Sequence, residues 1–203
     1  MTLWCIGRNY ARHAAELGNA VPKRPLIFLK PPSALRGVEP SPIAPSDEGV
    51  EHECELVVRV GRPVPLGASG AWTDLDGVGV GLDLTRRATQ ATCKQRGWPW
   101  TRAKAFAGSA VVGTLHDPAT LGDPRDWTFG LDVDGRPRQR GAARDMLVPI
   151  PDLIGFIAEL SPLQPGDLIF TGTPEGVGPL PLGTAFDLWL KSGDAEYRDT
   201  GRL

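Results

Sequence analysis

Glu51-His52-Glu53-Cys54-Glu55-Leu56-Val57-Val58 is the stretch on which the reading of this chain turns. Cys54 to Val60 reads as a β-strand, on which successive side chains point to opposite faces. Glu53 and Glu55 then share one face, while Cys54, Leu56, Val58 and Val60 share the other, which is apolar and packs inward. Two neighbouring carboxylates repel unless a cation or a proton lies between them. Oxygen donors at this spacing suit Mg²⁺ or Mn²⁺. Taken alone, the pair also reads as a solvated strand edge, the commoner place for charged residues. A zinc site from His52 and Cys54 is disfavoured: both lie on the apolar face, and no second His/Cys pair follows.

Further along, Asp83 ends the apolar, glycine-rich run Gly79-Val80-Gly81-Leu82. A carboxylate at the end of a buried strand is costly without a partner. With Glu53 and Glu55 it makes a third oxygen donor, leaving about three coordination positions for substrate and water. Arg87 and Gln90 are three apart on an expected helix and can clamp a carboxylate together. Lys104 stands among small and apolar residues, where a lysine needs an anionic partner. His13 and Glu16, also three apart, make a small acid–base pair able to activate a water. Thr173, in the glycine turn Gly172 to Gly178, offers a hydroxyl and backbone N–H groups to a carboxylate. Taken alone, Asp83 also reads as an N-cap or turn aspartate, Arg87, Gln90 and Lys104 as solvated surface residues, and His13 with Glu16 as a common exposed helix pair. His116 has no evident partner.

Around these residues the chain reads as one strand-rich α+β fold. Strands are expected at Leu3–Ile6, Leu26–Leu29, Cys54–Val60, Val78–Leu84 and Asp167–Thr171, with a hairpin from Phe129 turning at Asp134-Gly135. Three helices are expected: Tyr10 to Leu17, capped by Asn9 and ended by Gly18; Arg87 to Arg96, closed by Gly97; and Pro151 to Leu160. The Pro-rich stretch to Pro45 is loop or edge. Gly77-x-Gly79-x-Gly81 lacks the dinucleotide spacing, and Gly172 to Gly178 lacks the lysine of a phosphate loop.

The 203 residues carry a net charge of −2, which gives no basic surface for nucleic acid or an anionic membrane. Gly 25 and Pro 20 exceed the roughly 12% of average proteins, and the apolar runs between them mark a turn-rich folded domain. Three scattered cysteines suit a reducing compartment. With no leader-like or membrane-length apolar run at hand, a cytoplasmic protein is expected.

Several stretches occur together in order: Gly7-Arg8-Asn9-Tyr10, Phe28-Leu29-Lys30-Pro31, His52-Glu53-x-Glu55 and Gly81-Leu82-Asp83-Leu84-Thr85. Gly97-x-Pro99-Trp100-Thr101-x-Ala103-Lys104-x-Phe106 and Thr171-Gly172-Thr173-Pro174-x-Gly176-Val177-Gly178 follow. In these the chain resembles the fumarylacetoacetate hydrolase family, in its small acylpyruvate hydrolase and oxaloacetate decarboxylase branch, over roughly Leu3 to Leu190. The resemblance implies a mixed β-roll of one catalytic domain over residues 1–203, with a lid helix at 9–17 and a metal-binding core at 51–203. It further implies a homodimer using Mg²⁺ or Mn²⁺.

By motif, Glu53, Glu55 and Asp83 correspond to metal ligands, and Arg8, Arg87, Gln90 and Thr173 to groups around a 2-keto acid. His13, Glu16 and Lys104 correspond to the catalytic set. The family pattern after the metal aspartate carries an Asp where this chain has Ala88, which puts substrate preference in question. The expected reaction is hydrolysis of the C–C bond of an acylpyruvate. Oxaloacetate decarboxylation, keto–enol tautomerisation and isomerisation use related chemistry, and a non-catalytic keto-acid binder is a further alternative.

Overall fold

A computed structural model describes residues 1–16 and 24–203. In chain order it begins with β1 (Leu3–Gly7), α1 (Ala11–Glu16), β2 (Leu26–Lys30), β3 (Leu35–Arg36), β4 (Glu51–His52) and β5 (Cys54–Val60). Next come β6 (Leu75–Asp83), α2 (Arg87–Arg96), α3 (Thr101–Lys104), β7 (Ala110–Val112), β8 (Thr128–Val133) and β9 (Arg136–Ala142). The chain closes with α4 (Ile150–Ala158), β10 (Leu168–Phe170), β11 (Gly178–Pro179), β12 (Ala185–Ser192) and β13 (Ala195–Arg202). The expected end of the first helix, Leu17 and Gly18, lies outside the described residues.

A seven-stranded sheet runs in the order β2-β1-β10-β5-β6-β7-β3, and a four-stranded sheet in the order β13-β12-β8-β9. The larger sheet is mixed: β1 with β10 and β3 with β7 are parallel, and its other pairs are antiparallel. β5 lies at its centre, which decides the fate of both faces of the opening sequence. Leu56, Val58 and Val60 join the main core with Ile150, Leu153, Ile154 and Ile157 of α4, whose spacing is that of one helix face. On the other side Val57 packs with Leu3, Cys5, Ala110, Leu168 and Phe170. The face carrying the glutamates is therefore covered too, and the solvated-edge reading is excluded: Glu53 and Glu55 are 7% and 1% exposed.

Three local expectations are corrected or sharpened. Asn9 does not serve mainly as a helix cap. Its amide donates to Val148 O (3.1 Å) and Thr171 O (2.8 Å), and its oxygen accepts from Val148 N, tying the start of α1 to two distant segments. The Asp134-Gly135 turn forms as expected, with φ of 49° and 70°, the two left-handed residues of a type I′ hairpin. Finally, Ala88 is exposed on the first turn of α2. The anion there comes from elsewhere: Glu48 accepts from Thr89 N (3.2 Å) and from the Thr89 hydroxyl, supplying negative charge at the helix N-terminus.

Candidate metal centre

Register brings the three carboxylates together. β5 and β6 pair Glu55 with Gly81, and one step beyond the ladder Asp83 N donates to Glu53 O at 2.8 Å. Glu53, Glu55 and Asp83 thus face the same side, and an oxygen from each lies within 4.8 Å of the others. Gly81 has to lack a side chain: a Cβ there would stand 2.5 Å from Val111 O and 2.8 Å from a methyl of Val57. Among the described residues this trio is the cluster of metal-type donors. His52 and Cys54 are not part of it, because His52 Nδ1 pairs with Gln139 Oε1 (2.8 Å) and Cys54 lies in the main core.

Three cations surround the trio. Lys104 Nζ donates to Glu53 Oε2 and to Asp83 Oδ2, both at 2.7 Å. Arg87 gives Nη2 to Glu53 Oε1 and Nε to Glu51 Oε2, both at 2.7 Å, and Nη1 to Gln90 Oε1 at 2.8 Å. The expected clamp of Arg87 and Gln90 is therefore closed on the glutamates and on itself. Lys30 is the residue that sequence reasoning missed. Its fully buried ammonium sits 2.8 Å from Asp83 Oδ1 and donates to Ser109 O, Ser109 Oγ and the Lys104 carbonyl. The available signal was a lysine closing an apolar strand before two prolines.

Burial alone would push the Glu53 carboxyl up, but Lys104 and Arg87 outweigh it and hold it well below the usual carboxylate range. Burial also opposes charge on Lys104, and Asp83 and Glu53 reverse this, raising it. Glu55 differs. Burial, then Asp83 and Glu53, push it well above its ordinary value, against the Gly172 N–H that donates to it at 2.8 Å. No cation among the described residues touches it.

The trio fits a hard divalent cation. All its donors are carboxylate oxygens, Glu55 lacks a cationic contact among the described residues, and buried Asp83 Oδ1, ion-paired with Lys30 at 2.8 Å, takes part in no hydrogen bond there.

The glycine turn closes one side. Thr173 Oγ1 donates to Cys54 O (2.8 Å) and accepts from Gln139 Nε2 (2.8 Å), so its hydroxyl proton is committed to the backbone. Gln139 also accepts from Cys54 N (2.9 Å), locking this turn to the metal-side strand. Gly172 has φ of 101°, and a Cβ on it would lie 2.7 Å from Cβ of Asn9. Gly172→Ala is expected to cost about 2–4 kcal/mol in urea unfolding, from backbone strain plus overlap. A loss below 0.5 kcal/mol would show that the turn can relax.

α1 forms the opposite wall. His13 is 5% exposed, its Nδ1 is 3.4 Å from Glu16 Oε2, and Glu16 also accepts from Gly176 N at 3.1 Å. His13 lines one cleft with Arg8, Glu53, Glu55, Arg87, Gln90, Lys104 and Thr173, so most of the residues expected from sequence converge. Arg8 holds φ of 63°, an uncommon backbone state for a non-glycine that collects at functional sites. His116 is elsewhere, its ring tilted against that of Tyr197 with centroids 4.1 Å apart.

Comparison with known proteins gives the class. The family model for the fumarylacetoacetate (FAA) hydrolase C-terminal region matches residues 2–197, and the chain belongs to this family. It is 44% identical over 183 residues to a mitochondrial oxaloacetate tautomerase of Arabidopsis thaliana, covering 88% of this chain and 81% of that one. It is 41% identical over 182 residues to the oxaloacetate tautomerase YcgM of Escherichia coli, covering 88% and 83%. Among solved structures, the fumarylpyruvate hydrolase of Pseudomonas aeruginosa in complex with Mn²⁺ and pyruvate superposes with a TM-score of 0.87 at 33% identity. That match covers 100% of this chain and 88% of the other. The fold is the strand-rich α+β architecture of this family. No described helix is long and apolar enough to cross a membrane.

Proposed function

We propose that this chain is a divalent-metal-dependent enzyme acting on an enolisable 2-keto acid, with keto–enol tautomerisation of an oxaloacetate-like substrate as its main reaction. The observation that carries this reading is that His13, held by Glu16, lines one cleft with Glu53 and Glu55 of the carboxylate trio. Glu53, Glu55 and Asp83 would hold Mg²⁺ or Mn²⁺. A bound ion supplies Lewis acidity toward the carbonyl of the keto acid.

In this reading Glu16 orients His13 through Nδ1, which leaves Nε2 to exchange protons. His13 takes the proton from C3 and returns it to the C2 oxygen, so the C–H bond breaks and an O–H bond forms with no other reactant. Lys104 places positive charge near the oxygen on which negative charge grows. Glu53 and Asp83 hold that ammonium, and Lys30 supports Asp83 in turn.

Hydrolysis of an acylpyruvate is the second reading, favoured by the likeness to the fumarylpyruvate hydrolase. Here His13 would activate a water toward the distal carbonyl. The C–C bond breaks, and the three-carbon product leaves as the pyruvate enol. A panel of oxaloacetate, fumarylpyruvate and acetylpyruvate, each with and without EDTA, tests both readings. Metal-dependent loss of the enol absorbance of oxaloacetate, faster than any acylpyruvate cleavage, is expected. Faster cleavage of an acylpyruvate would replace tautomerisation by hydrolysis, and no turnover of any of the three would remove the enzymatic reading.

A further inference from the structure

Among the described residues, Lys94 lines the cleft without pairing with the carboxylate trio. Arg87, Gln90 and Lys94 lie at i, i+3 and i+7 along α2, so a single helix face lines the cleft with all three. Arg87 is spent on Glu51, Glu53 and Gln90, and Lys104 on Glu53 and Asp83. Lys94 makes no ion pair with a carboxylate among the described residues. Its ammonium instead lies 5.4 Å over the Trp100 ring, which leans on Phe28 with ring centroids 5.8 Å apart. An aromatic face confines a lysine without neutralising it. Burial lowers the Lys94 pKa, and repulsion from Arg87 and Arg8 lowers it further, a crowding of like charge that an anion would relieve.

Building on the keto-acid reading above, we propose that Lys94, braced on Trp100, is a specificity-determining residue. It binds a second carboxylate at the far end of the substrate and makes the site selective for 2-keto dicarboxylates over their monocarboxylate counterparts. The two ends of such a molecule then meet different partners: the keto-acid end meets the trio and the glycine turn, and the distal carboxylate meets Lys94. A charge-assisted hydrogen bond discriminates here, because a substrate lacking the second carboxylate leaves the ammonium without an anionic partner.

Malate and lactate differ by this one carboxylate, and both are stable. Calorimetric titration of each into the Mg²⁺-loaded protein, for the parent, Lys94→Met and Lys94→Arg, tests the proposal. The parent should bind malate more tightly than lactate. Lys94→Met should raise the malate Kd about tenfold and move lactate less than twofold, and Lys94→Arg should keep most of the preference. For oxaloacetate, Lys94→Met should raise KM with kcat nearly unchanged. Equal loss for malate and lactate, or no loss for either, with oxaloacetate turnover intact, overturns the role of Lys94 alone. A parent that binds neither ligand and turns over no keto acid overturns the site reading and this inference with it.

Discussion

A Glu55→Gln variant is expected to lose about three orders of magnitude in kcat/KM, roughly 4 kcal/mol of transition-state stabilisation, while its metal-free form melts no lower than the parent. Stability and function part here because Glu55 is the trio member without a cation of its own. Its charge is opposed by burial and by Asp83 and Glu53, and one backbone N–H from Gly172 supports it. Glutamine keeps an oxygen for that N–H and turns an N–H₂ group toward the neighbouring carboxylates, replacing repulsion by attraction. The same change removes one of three charged donors, so the rise in melting temperature on adding Mg²⁺ should vanish. At a metal concentration one hundred times its Kd, that rise represents about 2.7 kcal/mol in the parent. Thermal melts with Mg²⁺ and with EDTA decide it. A metal-free variant several degrees less stable, or an undiminished response to Mg²⁺, would show that Glu55 has a structural role instead.

His13→Ala is expected to lower kcat by about 10²–10⁴, the usual contribution of a positioned acid–base group, and to leave metal affinity unchanged. Among the described residues the histidine touches none of the three carboxylates through a hydrogen bond, and its ring pairs with Glu16. Glu16→Gln should cost less, about tenfold, since glutamine still accepts from Gly176 N and keeps α1 seated. Single-turnover kinetics with oxaloacetate, alongside Mn²⁺ titration, would separate the two effects. Retention of kcat in His13→Ala would move the proton transfer to another group, whereas joint loss of activity and metal binding would mark the residue as structural.

The strand carrying the glutamates was readable because period-two alternation fixes which side chains share a face. Residue spacing could not show that this strand lies at the centre of the sheet, covered on both sides. That follows from β10 docking alongside it, a pairing of segments more than a hundred residues apart in sequence. Lys30 escaped for the same reason: its five partners come from Asp83, Leu84, Lys104 and Ser109, all distant in sequence. Arg87 and Gln90 were legible as neighbours on a helix, but their engagement with Glu51 and Glu53 depends on how α2 leaves β6. The setting of Ala88 was not readable either, since its exposed position and the Glu48 contact to Thr89 are tertiary facts. The hairpin of β12 and β13 was missed although a signal existed. Phe186, Leu188 and Leu190 alternate with Asp187 and Lys191, and Gly193 turns the chain with φ of 55°.

Mn²⁺ soaked into crystals of the protein, located by its anomalous scattering, probes the trio most directly. One strong peak per chain, in contact with an oxygen from each of Glu53, Glu55 and Asp83 and absent in Glu55→Gln, is the expected result. A protein that crystallises with these three side chains as described but takes up no ion there, even at millimolar Mn²⁺, would contradict a shared hard cation and the keto-acid chemistry built on it.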